Sequence, residues 1–461
     1  MRNVLFSISL FFSTLFAVAA DISGTLPVMY INTEEGQSIV DKINYINASY
    51  YLDPMGAIGI EAIGSVDNPE ALLIRGRGNY TWGYFDKKPY RIKLDKKTAL
   101  LGMNKSKHFV LLAHADDQVA FLRNTVSFEI SRRIGMPYTP EQRPVEVVLN
   151  GDYIGLYFLT ENIRVDKDRV NITEQNDEEI EPEAITGGWL VEIDNNSNTE
   201  QIQLSVEGTD LEWLWITYHS PEVLSAEQVN YLTNQFETIK QAIYVSDKES
   251  AELEKLIDIT SLAKYYIIQE VVDHLEGFLG SCWIYKNRGE EKWHFGPVWD
   301  FGHAFNNSHS KQLFIYEDTP FPVSIIKEIA KFSCFQKEVK RVWNEFYPLK
   351  LEGIENYMNT FLTQISEAAV CNAQRWPEYG NADVRQTSQQ AFASLRSKVA
   401  WLDSQWHIDD LSNISKKPSY NSSTTMKYYD MQGRRIHSPN SIKGIIIMSD
   451  GYCRRKIINQ Q

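Results

Sequence analysis

The 461-residue chain carries 46 Lys and Arg against 60 Asp and Glu, a formal charge of −14 at pH 7. That balance excludes broad nucleic-acid binding, which needs a basic face to replace phosphate counterions, and 43% hydrophobic with 23% charged residues excludes wholesale disorder. The length suits two or three domains, and four cysteines with no Cys-x-x-Cys pair make neither a disulfide scaffold nor a zinc site.

Arg2, the apolar run VLFSISLFFSTLF and the small residues Ala17 to Ala20 have the layout of a secretory signal peptide. The run is shorter than the ~20 apolar residues of a membrane helix, so residues 1–20 are expected to be removed. No later segment is long and apolar enough to span a bilayer. The protein is therefore expected in the periplasm, at the cell surface or outside the cell.

Residues 21–69 read as a β-rich N-terminal segment, with strands at VMYIN and AIGIEAIG. The pattern stays extended through ALLIRGRGNYTW and PYRIKL. Val119, Leu122, Val126, Ile130 and Ile134 then form one helical stripe within Gln118–Ile134, ended by Gly135 and Pro137. RPVEVVLNG and YIGLYFLTE form a hairpin through Asn150-Gly151. The acidic run QNDEEIEPE is a solvated loop, GGWLVEID a strand, and the Trp-rich stretch to about Ser220 irregular. A capping box at Ser225 and Gln228 opens a helix to about Tyr244. Further helices are predicted over 261–272, 336–367 and 384–406, with strands CWIYKN and WHFGPVW between them. Residues 413–425 are a polar linker, and 426–461 a small β tail.

The chemistry concentrates between Glu270 and Asn307. Asp300-Phe301-Gly302 ends an apolar strand; in protein kinases the aspartate of this tripeptide holds Mg²⁺ against the nucleotide phosphates. The loop before the strand pair fits the kinase catalytic-loop spacing when read from His274. Glu276 then faces the acceptor hydroxyl and Ser281 becomes a second metal ligand. Asp273 is the competing carboxylate, but its register puts Phe278 at the ligand position. Phosphoryl transfer also needs cations on a rigid strand. Arg75 and Arg77 flank glycines there, and Lys93 sits where the strand lysine belongs, with Lys87 and Lys88 as competitors. Glu129 on the next helix is placed to pair with Lys93, and Arg123 to point inward.

These stretches resemble the CotH kinase family in its secreted Bacteroidetes form. The residues that carry the resemblance are IRGRGNYTW with KKPYRIKL, LLGMNKSKHFVLLAHADDQVAFLRN, VEVVLNGDYIGLYFLTENI, GGWLVEID and FGPVWDFGHAFNN, over roughly residues 70 to 350. The resemblance implies an α+β, atypical protein-kinase-like two-lobed fold, β-rich then helical, in a domain spanning 70–412. It implies ATP with Mg²⁺ or Mn²⁺, and transfer of the γ-phosphate to Ser or Thr of a protein substrate. Arg75 and Arg77 would lie by the phosphates, Lys93 would contact the nucleotide, Asp300 would bind metal and Glu161 would fall at the hinge. The family's Asn-x-Asp is replaced here by His274-Leu275-Glu276. The alternative is therefore a kinase-like surface protein without transferase activity, binding a partner protein or a glycan. The tail resembles C-terminal units linked to secretion or surface attachment.

Overall fold

Alternating apolar side chains dictate the first half of the molecule: Ile92 and Leu94 point one way along their strand, Arg91 and Lys93 the other. The computed structural model describes residues 21–194, 201–205, 213–305, 313, 325–346 and 351–408, and four short strands between 427 and 459. The expected leader, the linker and Cys453 lie outside the described residues.

Strands β1 (Val28–Thr33), β2 (Ile46–Asp53), β3 (Glu70–Gly76), β4 (Tyr90–Thr98), β5 (Ser106–Leu112), β6 (Gln142–Leu149) and β7 (Asp152–Glu161) close into a barrel in the order β1-β2-β3-β4-β5-β7-β6. The closing pair, β1 with β6, is parallel and the rest are antiparallel. Met29, Ile74, Ile92, Phe109, Val147 and Leu159 fill its interior. Residues 21–69 thus supply two strands of the same barrel as β3 to β7 and form no separate unit. Within them the second strand is INASYYLD, not AIGIEAIG. The latter holds a single bridge, Ile63 to Leu52, because Gly59 and Gly64 take left-handed φ values of 79° and 64°. The extended reading also fails after Gly76, where Tyr80–Tyr84 form the short helix α1.

Asn150 and Gly151, at φ 52° and 81°, make the tight β6–β7 turn as predicted. Helix α2 (Leu122–Ile134) buries Leu122, Val126, Ile130 and Ile134 as expected, and Val119 is buried in the turn before it. It starts four residues later than Gln118, because Phe121 adopts φ 60° and the backbone of Val119 and Arg123 is capped by the Asp117 carboxylate.

A second sheet runs β12-β11-β8-β10-β9, with β8 (Trp189–Ile193), β9 (Gln201–Ser205), β10 (Trp213–Ser220), β11 (Cys282–Lys286) and β12 (His294–Phe295). The Trp-rich stretch is therefore the antiparallel pair β9–β10, not irregular chain. Helices α3 (Ala226–Tyr244), α4 (Glu252–Leu256) and α5 (Ile259–Val271) come between β10 and β11, and α3 opens on the predicted capping box. After α6 (Ile326–Ile329), the predicted helix 336–367 is two: α7 (Ser333–Phe346) and α8 (Leu351–Arg375). The last predicted helix is likewise α9 (Val384–Thr387) and α10 (Gln389–Trp406). One core joins the α2 stripe, the inner face of β8 and the almost wholly buried α5. The fold is mixed α/β, but its β-rich part is a closed barrel and a second sheet lies among the helices. The expected clear division into a β lobe and a helical lobe is not what the chain adopts. The tail forms its own sheet, β14-β13-β15-β16: β13 (Lys427–Tyr429), β14 (Arg435–Ile436), β15 (Gly444–Ser449) and β16 (Arg454–Asn459). Among the described residues no helix is long and apolar enough to cross a membrane.

Candidate functional site

Asp300 comes after the second sheet in a left-handed conformation, φ 54°, that a non-glycine residue adopts at a cost. The flanking packing over-determines it. The Phe301 N–H donates to Asn124 Oδ1 at 2.8 Å, and the fully buried Phe301 ring meets Phe128 at 6.2 Å and His274 at 5.1 Å. Trp299 stacks on Phe128 at 6.1 Å. Arg123 completes the clamp by donating to the Gly302 carbonyl and, at 3.1 Å, to that of Asp116. The inward orientation expected of Arg123 is thus observed, and helix α2 positions the Asp-Phe-Gly segment.

Asp116 is the residue that sequence reasoning missed. A side chain at Gly302 would bring its Cβ within 3.3 Å of Asp116 Oδ2 and 3.5 Å of Asp300 Oδ1, so the two carboxylates converge on the space that glycine leaves. Burial, then the Asp300 charge, then that of Asp117 push the Asp116 carboxyl up to about 6. Its signal is the Ala-Asp-Asp run at 115–117, inside a stretch that carries the family resemblance.

Glu276 lies at the same end. Its carboxylate is 3.4 Å from His303. Burial chiefly, and the Asp300 charge, raise its proton affinity, while His303 lowers it. Asp273 is elsewhere: it is buried, with its carboxylate 3.9 Å from the Nζ of Lys398, which also binds Glu270 at 2.9 Å. Between the two loop carboxylates, the structure brings Glu276 and not Asp273 to Asp300. Ser281 precedes β11 at φ 52°, beside Gly280, whose nearest carboxylate is Asp194 rather than Asp300.

The barrel supplies the opposite charge. The Arg77 guanidinium lies over the Trp299 ring at 5.7 Å and feels Asp300 and Glu192, while burial lowers its pKa. Arg75 turns away, donating to the Ile43 carbonyl at 2.9 Å and covering the Tyr45 ring at 4.6 Å. Lys93 is exposed on the outer face of β4, in register with His108. The expected Lys93–Glu129 pair is not formed. Glu129 binds Arg133 at 2.6 Å and Arg132 at 3.2 Å on its own helix, because i,i+3 and i,i+4 neighbours lie within reach on one helix face. The competing lysines are structural: Lys87 is buried on the carbonyls of Ala113 (2.8 Å) and Leu156 (2.5 Å), and Lys88 donates to the Trp82 carbonyl at 2.7 Å. Glu161, buried at the end of β7, accepts from the Tyr138 hydroxyl (3.2 Å) and the Glu141 N–H (3.0 Å) and faces Arg169 at 3.8 Å. These contacts tie the end of β7 to the segment before β6 and to Arg169.

Among the described residues, no group of three or more His, Cys, Asp or Glu side chains is arranged to hold a metal. The Asp116–Asp300 pair nevertheless suits one kind of cation. Mg²⁺ keeps most of its waters and takes one or two carboxylates together with substrate phosphates, rather than a complete protein cage. Two close carboxylates, one with a raised pKa, form a donor set that a divalent cation relieves.

Two closely spaced acids thus stand opposite a guanidinium, between the barrel and the second sheet. The chain belongs to the CotH kinase protein family, whose pattern it matches over residues 74–400. No curated protein matches it.

Proposed function

We propose that this protein is a secreted or surface protein kinase that moves the γ-phosphate of ATP to a Ser or Thr hydroxyl of a protein. The observation that carries the reading is the convergence of Asp116 and Asp300 opposite Arg77 in a CotH-family chain. Asp116 and Asp300 would hold Mg²⁺ or Mn²⁺, and the cation would supply charge neutralisation for the phosphates. Arg77 binds phosphate oxygens from the barrel side. Glu276, made more basic by burial, orients the acceptor hydroxyl and takes its proton as the bond between the β–γ bridging oxygen and the γ-phosphorus gives way to the new ester. Asn124 and Arg123 hold the Phe301 and Gly302 backbone beside Asp300 throughout.

The test is transfer of label from γ-labelled ATP to protein, with Mg²⁺ or Mn²⁺, by the wild type and by Asp300→Asn and Asp116→Asn. The reading predicts transfer by the wild type and about a hundredfold loss or more in each variant. Absence of transfer, together with nucleotide affinity indifferent to both substitutions, refutes it. One observation favours the second reading, a kinase-like protein that binds a partner or glycan without transfer: Asp273 is sequestered against Lys398. In that case partner capture survives Asp300→Asn.

A further inference from the structure

Beyond Arg77, the outer face of β4 continues with Arg91 and Lys93, while Ile92 and Leu94 fill the barrel. The Arg77 N–H donates to the Pro89 carbonyl at 3.2 Å, so the strip starts beside the site and runs along the strand away from it. Arg164 lies near enough to Arg91 and His108 for their charges to interact, and His108 is in register with Lys93. Among the described residues, Arg91, Lys93 and Arg164 form no ion pair, whereas the neighbouring Arg169 faces Glu161 at 3.8 Å. Arg91 Nε and His108 Nδ1 are buried and have no hydrogen-bond partner. The Tyr45 hydroxyl and then the exposed Glu222 act on Arg91 from the acidic side.

Three cations on one face, without an ion-pair partner among the described residues, repel one another in a chain with 60 acidic residues to draw on. A ligand of opposite charge removes the penalty. Arg91 and Lys93 are alternate residues of one strand, so they stand about 6.6–6.8 Å apart. That repeat matches the alternate side chains of a second extended backbone laid alongside. We infer that this strip docks an extended acidic segment of the acceptor protein, with Glu or Asp at alternate positions and the acceptor hydroxyl at the Asp116–Asp300 end. The inference rests on the kinase reading for the acceptor's fate, though not for its binding.

The experiment measures fluorescence anisotropy of the full-length protein with a labelled Ser-Ala-Glu-Ala-Glu-Ala-Glu peptide and its Lys-for-Glu counterpart, without nucleotide or metal. The acidic peptide should bind, more weakly as NaCl rises, and the basic one should not. Arg91→Glu/Lys93→Glu should weaken the acidic peptide about tenfold or more. The charge-matched control Lys337→Glu/Lys340→Glu, two exposed positions on α7, should not. Equal binding of both peptides, or binding indifferent to the β4 reversal, overturns the inference. So does a result in which the reversal weakens ATP and leaves the peptide untouched, which would assign the strip to the nucleotide. If the acidic peptide binds but is never phosphorylated, the strip stands and the kinase reading falls. Phosphorylation without preference for acidic flanks leaves the kinase and removes the strip.

Discussion

Replacing Asp116 by Asn should stabilise the metal-free protein and abolish its response to metal. The Asp116 carboxyl titrates near 6 in the fold against an ordinary 3.8, from burial first and Asp300 second. A group whose folded pKa is raised contributes stability that is complete below its unfolded pKa and is lost as pH climbs through the folded one. The window is therefore 3.8 to about 6. Each pH unit is worth about 1.4 kcal/mol. The ionised wild type should thus bear about 2–3 kcal/mol at neutral pH, allowing for the partial exposure of Asp116. Asn keeps the shape without the charge. The comparison is urea unfolding of wild type and variant in chelator at about pH 4 and about pH 7.5, then at the higher pH with saturating Mn²⁺. The two proteins should be close at the lower pH, and the variant should be the more stable at the higher one. Mn²⁺ should reverse that order by stabilising only the wild type. A variant that is less stable at neutral pH, or one that gains as much from Mn²⁺ as the wild type, refutes the reasoning.

The same proton sets the pH dependence of metal binding: Mn²⁺ affinity, measured by calorimetry, should rise with pH up to about 6 and then level off. Lys398→Met removes the cation between two buried carboxylates, Glu270 at 2.9 Å and Asp273 at 3.9 Å. It should cost about 3–5 kcal/mol in urea unfolding, and unchanged stability would contradict the charged assignment. Gly187→Ala would place a Cβ 2.0 Å from the Asn287 carbonyl oxygen, against backbone that cannot step aside, and should cost about 3 kcal/mol or more in thermal and urea unfolding. Gly83→Ala, in α1 with nothing within 4 Å of the added carbon, should be neutral or stabilising by about 0.5–1 kcal/mol in the same assay.

The elements that sequence reveals are those whose signals are local. The Asn150-Gly151 turn, the Ser225–Gln228 capping box and the α2 stripe each depend on residues within a few turns of one another, and each forms as read. Barrel closure is different in kind. It depends on β1 pairing in parallel with β6, across more than a hundred residues, and no pattern within either strand encodes that partner. For the same reason residues 21–69 read as a separate segment by pattern alone. Helix continuity misleads in the opposite direction: apolar spacing runs on past Pro348, yet α7 and α8 are distinct helices.

The site divides along the same line. Asp300 and Glu276 can be nominated from sequence because the Asp-Phe-Gly segment and its preceding loop are short patterns with fixed spacing, and the contact of His274 with Phe301 joins the two. Pairings between distant elements cannot. Glu129 has the right chemistry for Lys93, but Arg132 and Arg133 are a helical turn away and take it first. Asp273 has the right chemistry for a catalytic carboxylate, but Lys398, 125 positions later on α10, draws it into the core. Asp116 is hidden for the converse reason. Two adjacent aspartates before a helix read as caps, and Asp117 is one, accepting from the Val119 and Arg123 backbone. Only the three-dimensional path of Gly302 separates their roles, leaving Asp117 to hold α2 while Asp116 faces Asp300. A carboxylate's role here is decided by which cation reaches it: those already paired within the fold, Glu129 and Asp273, stabilise structure. Asp116 and Asp300, drawn together opposite Arg77, form no ion pair among the described residues, and on the proposed reading these two would take the cation.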